Sequence, residues 1–294
     1  MAKVRIAAAQ YPLDAFDTLA AHREKLARWV AEAAGSGAQL LVFPEYGAME
    51  YAGTAAADLR ASLAAVSDAL PQMDAAHAEL ARRHGVHILA GSGPSARANA
   101  YVNAARLFAP SGRTGVQEKL MMTPFERDWG VSGGEMLRVF ETALGRIGVA
   151  VCYDCEFPLL VRAQAEAGAD LILVPSCTEY LSGYHRVRTA ARARALENGC
   201  ATVLSPTVGD AAWSPAVDRN TGAAGVFVPA DHGFSETGVL TEGVVNAPGW
   251  IYADVDTDGL RAVRRSGEMH NSLDWSTQPG AAPLGQRVEI VPLL

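Results

Sequence analysis

The sequence has few of the features that mark specialised classes of protein. It holds four cysteines in 294 residues, too few for a disulfide scaffold, so we expect each to be a thiol in a reducing compartment. No run of about 18 apolar residues occurs, which predicts no membrane-spanning helix. Lys and Arg number 25 against 32 Asp and Glu, and the net charge of −7 argues against nucleic-acid and membrane-surface partners.

A linker, a block of like charge and a repeat of fixed period are also missing, so nothing divides the chain into separate domains. The first apolar stretch is too short for a signal peptide and soon meets Asp14 and Asp17, which predicts a cytoplasmic protein. We expect one domain over residues 1–270. Residues 271–294 contain several prolines and are expected to form an extended tail that lies on the protein's own surface or at a subunit interface.

What the sequence does contain is an alternation of strand-length and helix-length segments. The apolar runs Val4–Ala9, Leu40–Phe43 and Leu171–Val174 predict buried strands, and Leu59–His84 predicts a long helix. Strands and helices that alternate in this way are typical of an α/β fold.

The segment Arg146–Pro158, RIGVAVCYDCEFP, holds the sharpest local signal. A buried strand is expected to end at Cys152, and a helix to start within a few residues. Backbone N–H groups and the positive end of a helix dipole would favour the thiolate there, and the same donors would hold an oxyanion. The segment therefore predicts a nucleophilic Cys152, with an inert buried cysteine as the alternative.

Cys152 and Cys155 also form a C-x-x-C pair, which raises two rival interpretations. A redox dithiol usually lies near the first strand–helix–strand unit, whereas this pair is in mid-chain. A zinc site needs four ligands, and no second pair of cysteines or histidines with the usual spacing is present. Both interpretations are weaker than the nucleophile, and no metal or cofactor is expected.

Two glycine motifs suggest chemistry that their surroundings do not support. Gly91–Ala96, GSGPSA, matches a dinucleotide-binding pattern, but it opens no helix and no acidic residue follows at the required distance. Gly130–Gly134, GVSGG, matches the nucleophile elbow of serine hydrolases, but the expected strand before it and helix after it are missing. Neither chemistry is expected, and the second motif is better interpreted as a loop.

Two charged residues stand near buried strands. Glu45 follows the apolar run Leu40–Phe43, and in open α/β sheets sites form beyond the carboxyl ends of strands. Lys119 precedes the apolar residues Leu120–Met122. Taken singly, either residue is as compatible with an ordinary surface position as with a site.

Taken together, Glu45 in F-P-E, Lys119 in E-K-L and Cys152 in V-C-Y-D resemble the nitrilase superfamily of carbon–nitrogen hydrolases. The resemblance extends from Arg5 to about Val255. It implies a four-layer α-β-β-α sandwich whose helices pair two subunits, in a homodimer or a higher homo-oligomer. It also implies that Cys152 is the nucleophile, Glu45 the general base and Lys119 the cation that stabilises the oxyanion, with Glu126 as an assisting carboxylate.

The residues around the motif favour the amidase branches of this superfamily. Nitrile-cleaving members usually have Trp where this chain has Tyr153. Carbamoylases typically have two basic residues close after the cysteine, where this chain has Asp154, Cys155 and Glu156. We therefore expect hydrolysis of a small linear amide to a carboxylate and ammonia or an amine, through a thioester on Cys152. N-carbamoyl amino acid hydrolysis, nitrile hydrolysis and a redox C-x-x-C protein remain as alternatives.

The substrate-binding residues are less clearly indicated. The backbone N–H of Tyr153 is expected to face the oxyanion together with Lys119. The segment Ser176–Tyr184 follows a strand and should line the pocket. From it we expect four contacts with the substrate, at Cys177, Thr178, Tyr180 and Tyr184.

Overall fold

A computed structural model of the chain describes residues 3–55, 58–98 and 100–294, which fold into helices packed on a large mixed sheet. Fifteen strands are found in this part of the chain: β1 (Lys3–Pro12), β2 (Leu40–Val42), β3 (His87–Arg97), β4 (Ala100–Phe108), β5 (Thr114–Glu118), β6 (Val131–Ser132), β7 (Leu137–Thr142), β8 (Gly145–Val149), β9 (Leu171–Ser176), β10 (Ala201–Asp210), β11 (Arg219–Asn220), β12 (Gly225–Phe227), β13 (Val239–Glu242), β14 (Gly249–Asp256) and β15 (Val288–Pro292). The helices are α1 (Leu19–Gly35), α2 (Leu59–His84), α3 (Pro124–Asp128), α4 (Pro158–Glu166), α5 (Leu181–Asn198), α6 (Thr257–Ser266) and α7 (Asn271–Asp274), with 3₁₀ segments at Gly47–Ala55, Cys152–Glu156 and Trp275–Thr277.

The strands divide into two half-sheets. The first half-sheet contains β14 and β1 to β6, and the second contains β7 to β10, β12, β13 and β15. A short parallel bridge joins them, in which Tyr11 and Pro12 of β1 face Thr207 and Val208 of β10. Ser205 on β10 strengthens the junction because its hydroxyl donates to the carbonyls of Ala9 and Val42, at 2.8 Å each.

Side chains of β1 show how the layers are built. Val4, Ile6 and Ala8 lie in the apolar core between the half-sheets, whereas Ala7 and Ala9 lie in a second core under α1 and α2. Because successive residues of a strand point to opposite faces, both faces of this strand are buried. Such strands appear in a sequence as continuous apolar runs, as Leu40–Phe43 does.

Helices cover the outer faces of both half-sheets. Helices α1 and α2 begin at the side-chain caps Thr18 and Asp58, and α2 ends at Gly85 in the left-handed conformation. Helices α4 and α5 pack on the second half-sheet, where Val161 and Val187 join its core. The predicted four-layer α-β-β-α sandwich is thereby confirmed.

Residues 271–294 remain in contact with the rest of the fold. They hold α7 and the edge strand β15, which pairs in parallel with β7 from Val288 to Pro292. Leu293 is buried, and its N–H donates to the carbonyl of Glu141. The end of the chain thus extends the second half-sheet, and a role at a subunit interface stays a prediction. Over the described ranges, no helix combines the length and the apolar character needed to cross a membrane.

Candidate active site

Glu45 lies just beyond the carboxyl end of β2, in a turn that a neighbouring glycine accommodates. At Gly91, where φ is +82°, a Cβ atom would lie 1.8 Å from the carbonyl oxygen of Pro44, so only glycine fits. The next residue, Ser92, accepts a hydrogen bond from the N–H of Tyr46 at 3.1 Å. Tyr46 itself has a φ of +56°, which is uncommon for a residue with a side chain. The glycine motif near Gly91 thus supports this turn.

Lys119 directly follows β5, and its side chain is 1% exposed. Its ammonium donates to Glu45 Oε1 at 2.8 Å and to Glu126 Oε2 at 2.7 Å. A second glycine motif holds the lysine backbone, because the N–H of Gly134 donates to the carbonyl of Lys119 at 2.8 Å. Gly133 approaches Leu120 so closely that a Cβ atom would lie 2.6 Å from its carbonyl oxygen.

Asn103 on β4 joins the two carboxylates, a role that the sequence analysis did not identify. Its amide nitrogen donates to Glu45 Oε1 and to Glu126 Oε1, at 2.9 Å each. Its amide oxygen is buried without a hydrogen-bond partner among the described residues. The available signal was a single asparagine inside the apolar strand Tyr101–Phe108, because a buried amide needs partners.

Glu126 is the more firmly held of the two carboxylates. It lies in α3, which begins at Thr123 with a capping box, and it also accepts from the hydroxyl of Tyr46 at 2.9 Å. Thr123 donates to it through its N–H at 3.0 Å and through its hydroxyl at 2.9 Å. Burial opposes ionisation here, but Lys119 and these donors hold the pKa of Glu126 below its ordinary value. It is therefore the lasting counterion of Lys119.

The pKa of Glu45 is shifted in the opposite direction to that of Glu126. Burial raises its pKa, the charge of Glu126 adds to that effect, and Lys119 works against it. Its second oxygen accepts from the N–H of Cys177 at 2.9 Å. A carboxylate with a raised pKa is a better proton acceptor, which suits a general base. Lys119 remains charged, since the two carboxylates outweigh its burial and raise its pKa.

Cys152 follows β8 and opens the 3₁₀ segment Cys152–Glu156, where the sequence analysis had expected the strand to reach it. Its φ is +48°, a strained conformation that costs of order 1–3 kcal/mol and is concentrated at functional sites. The thiol donates a weak hydrogen bond to the carbonyl oxygen of Cys177 at 3.9 Å, and the N–H of the same residue donates to Glu45. The nucleophile candidate and the base candidate are therefore held against one backbone segment.

The expectation that this position favours the thiolate is wrong for the free site. Burial raises the pKa of the Cys152 thiol well above its ordinary value, and the negative charge of Glu45 raises it further, although Lys119 works in the opposite direction. The predicted α-helix is present as α4, but the 3₁₀ segment separates Cys152 from its first turn, so little of its dipole acts on the thiol. The resting thiol is protonated, so attack requires proton transfer to Glu45.

Asp154 connects the loops that carry Lys119 and Cys152, another role that the sequence analysis missed. The carboxylate accepts from the N–H of Met121 at 2.7 Å, of Leu120 at 3.1 Å and of Val151 at 3.3 Å. Burial raises its pKa to about 7. One buried side chain thus fixes the backbone on either side of the candidate site.

Cys155 does not reach the candidate site. It is fully buried in the core, and burial raises its pKa far above the usual value. All four cysteines are free thiols. Within the described residues, no group of three or more His, Cys, Asp or Glu side chains is arranged to hold a metal ion.

A cleft of about 480 Å³ opens over these residues. Four of the five expected substrate contacts, at Tyr153, Cys177, Thr178 and Tyr180, line it. Tyr184 is buried away from the lining, and its hydroxyl lies 3.2 Å from the Glu242 carboxylate. Tyr184 lies outside the cleft because its place on α5 directs its side chain towards the second half-sheet. The site therefore combines a thiol, a base and a fixed cation within reach of a small molecule.

Comparisons with known proteins found matches to a family model and to several proteins. A family model described as carbon–nitrogen hydrolase matches residues 5–265. The chain is 39% identical over 197 residues to the probable hydrolase YhcX of Bacillus subtilis (strain 168), a match that covers 67% of this chain and 38% of that protein. The chain thus spans well under half the length of that relative.

Two further proteins match over most of their length. The omega-amidase NIT2 of Danio rerio is 28% identical over 251 residues, with 80% of this chain and 83% of that protein covered. The crystal structure of an amidase from Nesterenkonia sp. superposes with a TM-score of 0.68 at 27% identity, covering 90% of this chain and 95% of that chain.

Proposed function

The chain belongs to the carbon–nitrogen hydrolase family, and from that premise we propose that it hydrolyses the C–N bond of a small linear amide through a thioester on Cys152. Membership in the family confirms the resemblance drawn from the sequence. The observation that carries the proposal is that the Cys152 thiol and the Glu45 carboxylate both bind the backbone of Cys177, beside the buried ion pair of Lys119. Relatives named amidase and omega-amidase support an amide as the substrate.

In the proposed acylation, Glu45 accepts the thiol proton while the Cys152 sulfur attacks the amide carbonyl carbon. The carbonyl oxygen becomes an oxyanion, which Lys119 and the backbone N–H of Tyr153 stabilise. Glu45 then donates the proton to the departing nitrogen, the C–N bond breaks, and ammonia or an amine leaves. An acyl thioester remains on Cys152.

In the proposed deacylation, Glu45 accepts a proton from water as the water oxygen attacks the thioester carbon. Collapse of the second oxyanion breaks the C–S bond, releases the carboxylic acid and returns the proton to the sulfur. Glu126 keeps its negative charge throughout and balances Lys119. We also propose that the protein assembles as a homodimer or a higher homo-oligomer and that it is cytoplasmic.

Ammonia release from a panel of simple amides tests the proposal. The wild-type protein should be active, and Cys152→Ala should lose at least a hundredfold in kcat because the nucleophile is gone. Cys155→Ala is the matched control, since it removes a neighbouring buried thiol outside the site, and it should stay active. Equal loss in both variants would instead favour the dithiol interpretation.

Intact-protein mass spectrometry of Glu45→Gln tests the intermediate. With a reactive ester of a small acid, this variant should accumulate an acyl adduct on Cys152, because hydrolysis has lost its base. An adduct on a different residue, or full turnover by Glu45→Gln, would contradict the assigned roles.

A further inference from the structure

The mouth of the cleft carries an unusual pair of side chains. Phe125 is 62% exposed and Tyr180 is 53% exposed, and both line the cleft above Cys152. Across the ranges that the structure describes, these are the two exposed side chains among Phe, Tyr and Trp. Exposing an aromatic ring to water is unfavourable because its apolar surface must be hydrated. Two such rings at one concave opening therefore indicate contact with a ligand.

The fold holds both rings in place. Phe125 belongs to α3, in which the adjacent Glu126 points inward to Lys119, so the capping box that fixes Glu126 also fixes Phe125. Tyr180 lies at the start of α5, with the guanidinium of Arg219 over its ring at 5.5 Å from the centroid. The rings are thus positioned before a ligand arrives, which reduces the entropy lost on binding.

The charged groups around the mouth do not favour an anion. Outside the catalytic cluster the cleft is lined by three acidic side chains and two arginines, namely Glu156, Glu179, Asp218, Arg186 and Arg219. Arg186 and Glu156 form one ion pair at 3.5 Å, which leaves Glu179 and Asp218 against the single guanidinium of Arg219. An acidic excess at the entrance repels a negatively charged substrate.

From these observations we propose that the enzyme selects amides whose acyl chain is uncharged and ends in an apolar, preferably aromatic, group held by Phe125 and Tyr180. The inference rests on the proposed function, since it takes the reacting carbonyl to lie at Cys152. A cleft of about 480 Å³ accommodates such a chain between the thiol and the mouth. Phe125 and Tyr180 are then specificity residues, and they take no part in the bond-breaking steps.

Two matched pairs of substrates test the selectivity. The kcat/KM for 4-phenylbutanamide should exceed that for butanamide by about tenfold or more, because the phenyl group reaches the two rings. The kcat/KM for succinamide should exceed that for succinamate by about tenfold. The end remote from the reacting carbonyl is a neutral amide in succinamide and a negatively charged carboxylate in succinamate. Equal values within either pair, or a preference for succinamate, would overturn the inference.

Variants identify the residues responsible. Phe125→Ala and Tyr180→Ala should each reduce the preference for 4-phenylbutanamide over butanamide by about fivefold or more, mainly through KM. Tyr180→Phe keeps the ring and should keep the preference. Leu273→Ala is the control, because it truncates an exposed apolar side chain on α7 that does not line the cleft, and it should leave the preference unchanged.

Binding to Cys152→Ala separates this inference from the proposed function. Calorimetry with this inactive variant should show 4-phenylbutanamide bound more tightly than butanamide, and Tyr180→Ala in the same background should remove the difference. If amides are hydrolysed without any difference in binding, the proposed function stands and the inference fails. If no amide is hydrolysed but the difference in binding persists, the binding role of Phe125 and Tyr180 is correct and the proposed reaction is wrong.

Discussion

Two carboxylates share one lysine in the site, yet their surroundings give them different tasks. Glu126 accepts hydrogen bonds from Tyr46, Asn103 and Thr123 besides Lys119, and these donors stabilise its charge. Glu45 has fewer donors, and it shares the backbone of Cys177 with the Cys152 thiol. Groups whose pKa values are shifted in opposite directions are suited to opposite roles. The pair therefore fits the proposed division between a fixed counterion and a carboxylate that exchanges a proton.

At the scale of single residues, Lys119→Arg should be as damaging as Lys119→Ala. The ammonium is fully buried between two carboxylates at 2.8 and 2.7 Å, and a planar guanidinium is too large for that space. We expect each variant to lose at least about a hundredfold in kcat, as when an oxyanion donor is removed. Steady-state kinetics on one amide measures this. Near-normal turnover by the arginine variant, or capture of substrate on Lys119 by borohydride, would contradict the electrostatic role.

At the scale of elements, the important contact is the one that Asp154 makes between two loops of the site. Asp154 binds backbone N–H groups on the loop after β5 and on the loop after β8, so it sets the distance between Lys119 and Cys152. It touches no reacting atom in the proposed mechanism and is a positioning residue.

Asp154→Asn should lower kcat by about tenfold to a hundredfold with a smaller effect on KM, because an amide offers fewer acceptors and the loops shift. The comparison is Asp68→Asn on the exposed face of α2, which should behave like the wild type. Kinetics and a thermal unfolding curve for both variants provide the measurement. A loss confined to stability, with kcat unchanged, would show that Asp154 is structural alone.

The two glycine motifs show how far the sequence could be interpreted at this scale. The apolar runs predicted the strands, whereas the four layers and the grouping of Glu45, Lys119 and Cys152 came from the resemblance to a known family. The same sequence suggested phosphate or serine chemistry at Gly91 and Ser132, whereas Gly91 and Gly133 allow close backbone approaches beside Glu45 and Lys119. Such approaches join segments far apart in the chain, so local pattern cannot identify them. The contacts of Asn103 and Asp154 are non-local in the same way.

At the scale of the whole molecule, buried histidines affect how stability depends on pH. Burial lowers the pKa of His87, the first residue of β3, to about 4. Between that value and the ordinary value near 6.5, the unfolded chain binds a proton that the folded chain does not. The contribution of His87 to stability is therefore present above this window and lost as the pH falls through it.

Removing this histidine should change the pH dependence in a defined direction. For His87→Gln, the slope of the unfolding free energy against pH should be lower than in the wild type by about 1.4 kcal/mol per pH unit. Urea unfolding between pH 4.5 and 6 gives that slope, whatever the change in absolute stability. Identical slopes for the two proteins would show that the folded chain protonates His87 as readily as the unfolded chain.

The site is divided between the two half-sheets, so its activity depends on how the half-sheets are aligned. Glu45 and Lys119 belong to the first half-sheet and Cys152 to the second, and the short junction at Tyr11 and Pro12 keeps the two halves aligned. A displacement of about 1 Å between reacting groups is enough to cost about a hundredfold in rate. Activity should therefore respond to small shifts between the half-sheets that leave the secondary structure intact. Mild heat or pressure should abolish turnover while the circular dichroism spectrum is still that of the native protein.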